Sequence, residues 1–137
     1  MSRRLVLVVE DSSELAANLE ITLQSIADTE VLVAAGVRQA RARLATVAPE
    51  DLLIIVTDIQ LPDNDGLAWI RELRRSERFA ATPIVVTSGE TDPQLAPALG
   101  ELGVGAFFRK PFSPLRLRAH VEALLGGETT KLRVVPK

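Results

Sequence analysis

The sequence predicts an α/β fold: a doubly wound, five-stranded parallel sheet with five helices. Two observations predict it. Short, continuous, branched apolar runs recur at Leu5–Val9, Val31–Ala35, Leu52–Val56, Ile84–Val86 and Ala106–Phe108, as expected of strands buried on both faces. Segments of helical period lie between them, and alternating strands and helices predict right-handed crossovers that cover both faces of the sheet.

The elements follow in order. After the first run, Leu15, Leu19, Leu23 and Ile26 recur at helical spacing behind an N-cap at Ser12 or Ser13. After the second, Val37, Ala40, Leu44 and Val47 mark a helix stopped by Pro49. After the third, Leu67, Ile70 and Leu73 mark a helix that starts behind Gly66 and ends in the charged stretch 74–78. After the fourth, Leu95, Leu99 and Leu102 mark a helix with Pro93 near its start and Pro97 inside, so it should be short, late-starting or bent. After the fifth, Ser113-Pro114 forms a cap and first turn, Leu117, Val121 and Leu124 give the face, and Gly126-Gly127 ends it. Residues 1–126 read as one domain, and 127–137 as a polar, frayed tail in which only Leu132–Val135 could add a strand or dock on a partner. Trp69 and His120 read as helix-surface residues.

Composition narrows the function. The 137 residues are 47% apolar with a net charge of −2, which suits one core and gives no general affinity for nucleic acid. The absence of cysteine removes disulfides, thiolate catalysis and cysteine-zinc sites, and a single histidine, His120, argues against a histidine metal site. No apolar stretch reaches membrane-spanning length, and the N-terminal run is too short for a signal-peptide core, so a cytoplasmic protein without membrane contact is the simplest expectation.

The chemistry sits where the runs end. The first ends in Glu10-Asp11, the third in Thr57-Asp58, the fourth in Thr87-Ser88-Gly89 and the fifth in Arg109-Lys110-Pro111. Ligands of open parallel sheets collect beyond the carboxyl ends of strands. Three carboxylates there repel one another, which a hard cation relieves; Mg²⁺ prefers such oxygen ligands. An aspartate can form an acyl phosphate, with Mg²⁺ and a lysine neutralising the transferring group. Lys110 is the only lysine before the tail, Ser88 offers a hydroxyl, and Gly89 would let a backbone N–H approach.

Together these segments resemble the receiver domain of two-component response regulators, such as the single-domain chemotaxis type. The matching stretches are Val8-Val-Glu-Asp11, Thr57-Asp-Ile-Gln-Leu-Pro-Asp-Asn-Asp-Gly66, Pro83-Ile-Val-Val-Thr-Ser-Gly89 and Phe107-Phe-Arg-Lys-Pro-Phe112. The resemblance spans residues 4 to about 125 and implies a flavodoxin-like (βα)5 fold. It implies that Asp58 accepts a phosphoryl group from a histidine kinase or histidine phosphotransferase. Asp11, Asp58 and the backbone carbonyl of Gln60 would ligate Mg²⁺, with Glu10 acting mainly through bound water. Ser88 takes the switch-hydroxyl position, Phe107 the switch-aromatic position, and Lys110 the phosphate-binding position. The implied output is a surface of the fourth helix, fifth strand and fifth helix that controls a downstream protein or fused output domain, or a phosphorylation-dependent homodimer. Catalysis would be confined to the domain's own phosphorylation and dephosphorylation. Glu10 departs from the commoner aspartate, Thr87 from the usual aliphatic residue, and Pro97 from the usual fourth helix.

Plainer readings exist for each residue. Asp58 alone could be a cap or turn aspartate, Glu10-Asp11 a solvated strand end, Lys110 a surface lysine, and Phe107 a core aromatic. Residues 62–66 are primarily a turn; their resemblance to half a calcium loop lacks the later glutamate. A small-molecule phosphatase with an aspartate nucleophile would need a second acid two residues on, where Gln60 stands. A receiver-like scaffold that is never phosphorylated would not need the acidic pair, Asp58 and Lys110 together. The residues after the fifth helix are too few for a DNA-binding module, so the expectation is a stand-alone receiver or a fragment of a longer regulator.

Overall fold

The computed structural model describes residues 2–89, 92–127 and 133–135. The expected five parallel strands are β1 (Arg4–Val9), β2 (Thr29–Ala34), β3 (Leu52–Asp58), β6 (Ile84–Ser88) and β7 (Ala106–Arg109). The helices are α1 (Ser13–Gln24), α2 (Val37–Leu44), α3 (Gly66–Arg75), α4 (Leu95–Glu101) and α5 (Pro114–Leu125). Two further strands, β4 (Gln60–Leu61) and β5 (Asn64–Asp65), pair antiparallel as a small hairpin over the predicted turn. A last strand, β8 (Arg133–Val135), pairs parallel with β7, and the sheet order is β2-β1-β3-β6-β7-β8. The five predicted strands are thus joined by one more. Arg133–Val135 form this strand within the one stretch of the tail read as able to add one, whereas the expectation of a frayed tail at residues 128–132 and 136–137 lies outside the described residues.

The continuous apolar runs follow from burial on both faces. Along β1, Leu5, Leu7 and Val9 join one core cluster with Val37, Ile70 and Leu99, while Val6 and Val8 join another with Leu19, Leu23 and Leu117. Alternate side chains point to opposite faces of a strand, so α2, α3 and α4 cover one face and α1 and α5 the other. Neither face can carry polar alternation, and the period-2 signal disappears.

The helix boundaries have local causes. Ser12 Oγ accepts from Leu15 N at 3.3 Å and Ser113 Oγ from Arg116 N at 3.4 Å, each satisfying an otherwise orphaned donor. Pro114 opens α5 at a position where no N–H is needed. Helix α4 runs only from Leu95 to Glu101, short and late as its prolines predict, and has no side-chain N-cap. Helix α2 stops at Leu44, before the predicted Val47, which is nonetheless buried. Trp69 corrects the surface reading: it is fully buried, on the same helical face as Ile70 and Leu73.

Candidate functional site

The strand ends converge as the sequence predicts. Register aligns Val9 with Thr57, Asp58 with Thr87, and Ser88 with Arg109, so the residues just beyond β1, β3, β6 and β7 share one edge. Among the described residues, Glu10, Asp11 and Asp58 each offer a carboxylate oxygen, all within 4.8 Å of one another. Glu10 and Asp58 are buried, each 3% exposed, and Asp11 faces solvent. This hard, anionic donor set with one solvent-facing member fits Mg²⁺, which keeps several of its waters.

Lys110 bridges the two buried acids. Its Nζ donates to Glu10 Oε1 at 2.8 Å and to Asp58 Oδ2 at 2.7 Å. Its backbone N donates to Ser88 O at 2.8 Å, which fixes the lysine to the end of β6. The following Lys110–Pro111 peptide is cis. The remaining oxygens are also held: Glu10 Oε2 accepts from Ser12 N at 2.9 Å, and Asp58 Oδ1 from Gln60 N at 2.9 Å. Burial pushes the Glu10 carboxyl up; Lys110 and the Ser12 N–H oppose it, while the charge of Asp58 adds to it. Charge crowding is therefore present, but burial is the larger cause. Burial also works against the Lys110 cation, yet its bonds to Asp58 and Glu10 prevail and hold its pKa above the usual lysine value.

The other predicted residues lie beside this triad. Ser88 ends β6, fully buried, next to buried Thr87. A Cβ on Gly89 would come no closer than 3.7 Å to Gln60 Oε1, so crowding does not require glycine there. Phe107 is buried, 1% exposed, in the core cluster on the α2–α4 face. The Arg109 guanidinium carbon stands 5.6 Å from its ring centre, a cation–π contact that the sequence reading did not anticipate.

Two further residues shape the loop after Asp58. Asp63, read only as part of a turn, accepts from Val37 N at 2.9 Å and Arg38 N at 3.0 Å, capping α2 from a distant segment. A side chain at Gly36 would put its Cβ 2.6 Å from Asp63 Oδ1. A Cβ at Gly66 would overlap the backbone carbonyl of Ile59, and Gly66 N donates to that same oxygen. Glycine 66 therefore lets α3 begin directly against the residue following Asp58. Its place at the end of a Pro-Asp-Asn-Asp stretch was the only sequence signal for this close approach.

Comparison with known proteins agrees with this arrangement. Residues 6–122 match the family model described as response regulator receiver domain. The transcriptional regulatory protein GltR of Pseudomonas aeruginosa is 31% identical over 89% of this chain, which spans 49% of that protein. The chemotaxis protein CheY1 of Helicobacter pylori is 30% identical over 88% of this chain and 96% of its own length. The crystal structure of a response regulator receiver protein from Pseudomonas putida superimposes with a TM-score of 0.79 at 34% identity, covering 90% of this chain and 98% of that one. The chain thus spans nearly all of some relatives and about half of others. Among the described residues, no helix is long and apolar enough to cross a membrane. With its sheet topology, its acidic strand ends and the extent of these matches, the chain belongs to the response regulator receiver domains of two-component signal transduction.

Proposed function

We propose that Asp58 is the phosphoacceptor of a Mg²⁺-dependent signalling switch. The observation that carries this reading is the Lys110 Nζ bridge between Glu10 and Asp58 beside solvent-facing Asp11. A carboxylate oxygen of Asp58 attacks phosphorus on the phosphohistidine of a kinase or phosphotransferase. The O–P bond forms as the N–P bond breaks, and the imidazole leaves with its electron pair. Water later cleaves the acyl phosphate and returns the carboxylate and inorganic phosphate. Asp11 and Asp58, with the backbone carbonyl of Gln60, would hold Mg²⁺, and Glu10 would act through its water. When bound, the ion neutralises charge on the transferring oxygens. Lys110, already charged, moves its bonds from Asp58 to a phosphoryl oxygen. The carboxamide of Gln60 cannot serve as a general acid or base, which disfavours turnover of an external phosphate ester.

The switch follows from the same contacts. Phosphorylation adds charge and acceptors within reach of the ends of β6 and β7. Ser88 moves toward the phosphoryl group, and Phe107 turns into the vacated space. Because Phe107 shares a core cluster with Leu95 and Leu99 of α4, and its neighbour Phe108 shares one with Leu117 and Val121 of α5, the changed surface would be α4, β7 and α5, where β8 forms the sheet edge. That surface would engage a downstream protein, a fused output domain or a second copy. Incubation with acetyl phosphate and Mg²⁺, read by intact mass, should phosphorylate the wild type and not Asp58→Asn. Undiminished phosphate on the variant would reject Asp58.

A further inference from the structure

Charge is segregated in this chain in a way that the phosphorylation site does not use. Residues 37–44 and 66–79, covering α2, α3 and the turn after it, hold seven arginines and two glutamates. That is a net +5 in a chain whose total is −2, so the remainder carries −7. Arg38, Arg41, Arg43, Arg71, Arg75 and Arg78 are exposed. Among the described residues, Arg41 alone of these forms an ion pair, with Glu72 at 2.6 Å.

Between the two helices runs a groove of about 260 Å³. Leu44, Trp69, Leu73 and Phe79 line it, with Arg41 and Arg78 beside them. Arg78 lies over the Phe79 ring, its guanidinium carbon 5.2 Å from the ring centre. Arg38 sits one helical turn before Arg41; Arg75 ends α3, and Arg78 lies in the turn that follows. Trp69 is fully buried, and its indole N–H finds no acceptor among the described residues. Asp63 holds the N-terminus of α2, so one wall of the groove is tied to the β4–β5 hairpin.

We propose that this groove docks an acidic amphipathic helix of a partner protein. A helix laid in a groove is anchored by apolar side chains at i, i+3, i+4 and i+7, and Leu44, Ala45, Trp69, Leu73 and Phe79 offer apolar surface to such anchors, while Glu72 on the rim is already paired with Arg41. The flanks offer arginines, which recognise carboxylates through a planar fork of donors and stack on aromatic rings. Acidic residues bordering that apolar stripe would meet Arg38, Arg75 and Arg78, which form no ion pair among the described residues. A nucleic acid would use the arginines but leave the apolar floor empty, so a helix uses more of the surface. The face is separate from α4, β7 and α5, and the proposal stands independently of phosphorylation of Asp58.

Trp69, the only tryptophan in the chain, provides the readout. The full chain is titrated with a synthetic helical peptide carrying leucines at i, i+3, i+4 and i+7 and glutamates elsewhere. A scrambled peptide of the same composition and a short single-stranded oligonucleotide serve as comparisons. The designed peptide should change Trp69 emission saturably, more weakly as salt rises. The double variant Arg75→Glu/Arg78→Glu should weaken binding about tenfold or more. Ala45→Phe, which adds bulk at the groove without changing charge, should weaken it comparably. Circular dichroism confirms that both variants fold. Equal binding of the scrambled peptide, or undiminished binding by Ala45→Phe, would overturn the groove. Tighter binding of the oligonucleotide would make this a nucleic-acid surface instead.

Discussion

Replacing Lys110 with alanine should destabilise the metal-free protein far more than the metal-loaded one. In the structure, one ammonium at 2.8 and 2.7 Å bridges two carboxylates whose side chains are only 2% and 3% exposed. Deleting one partner of a buried ion pair costs roughly 3–5 kcal/mol, because the other charge stays buried without compensation. Lys110 itself is 26% exposed and Asp11 faces solvent, so water reaches the site. That screening reduces the expected cost to about 2–3 kcal/mol. For a chain of this size the midpoint should fall by about 3–5 °C per kcal/mol. Mg²⁺ supplies the missing positive charge, and an ion at roughly a hundred times its dissociation constant adds about 2.7 kcal/mol to a protein that binds it only when folded. Removing Lys110 also removes a competing cation, so the variant should bind Mg²⁺ more tightly than the wild type. The assay is urea unfolding of both proteins in EDTA and in excess Mg²⁺. The deficit should shrink by more than half on adding the metal. A deficit below about 0.5 kcal/mol in EDTA, within the usual range of surface substitutions, would refute the buried-bridge argument. A deficit unchanged by Mg²⁺ would refute the shared role of lysine and metal.

Further outcomes follow from single contacts. Gly66→Ala should lose roughly 2–4 kcal/mol in urea unfolding, because the new methyl group overlaps the Ile59 carbonyl; a neutral effect would mean that the loop after Asp58 is slack. Asp63→Ala should lower the urea midpoint through the lost cap, and hydrogen exchange should rise first at Val37 and Arg38. Asp51 accepts from Arg3 N, Arg3 Nη2 and Ala48 N, which hold its pKa down at about 2. Because the folded pKa lies below the unfolded one, its contribution is complete above the ordinary value of 3.8 and is lost as pH falls through about 2. The stability gap between wild type and Asp51→Asn should thus be constant at neutral pH and close between pH 4 and 2; a gap that widens on acidification would contradict the assignment.

The main outline was legible because it rests on local patterns. Strands buried on both faces leave continuous runs, and a parallel sheet gathers whatever follows them, so Glu10, Asp11, Asp58, Ser88 and Lys110 could be placed together from spacing alone. Contacts between distant segments were not legible. Nothing in Pro62-Asp63-Asn64 shows that Asp63 caps a helix 26 residues away. Arg74 donates to the carbonyls of Phe79, Ala80, Thr82, Leu102 and Gly103, and carbonyl groups carry no sequence signature. Strand β8 is too short for periodicity to register, so residues 132–135 could be read only as able either to add a strand or to dock on a partner. Trp69 is different: its spacing from Ile70 and Leu73 marked the buried face, and assigning it to the helix surface overlooked that signal.

The central claim is that the acidic site and the α4–β7–α5 surface form one switch. Beryllofluoride, which mimics a phosphoryl group on an aspartate, tests it by amide NMR in the presence of Mg²⁺. Shifts should begin at Asp58, pass through Ser88 and Lys110 to Phe107, and reach α4 while leaving α2 nearly silent. Perturbations that spread across α2 and spare residues 88–110 would contradict the account.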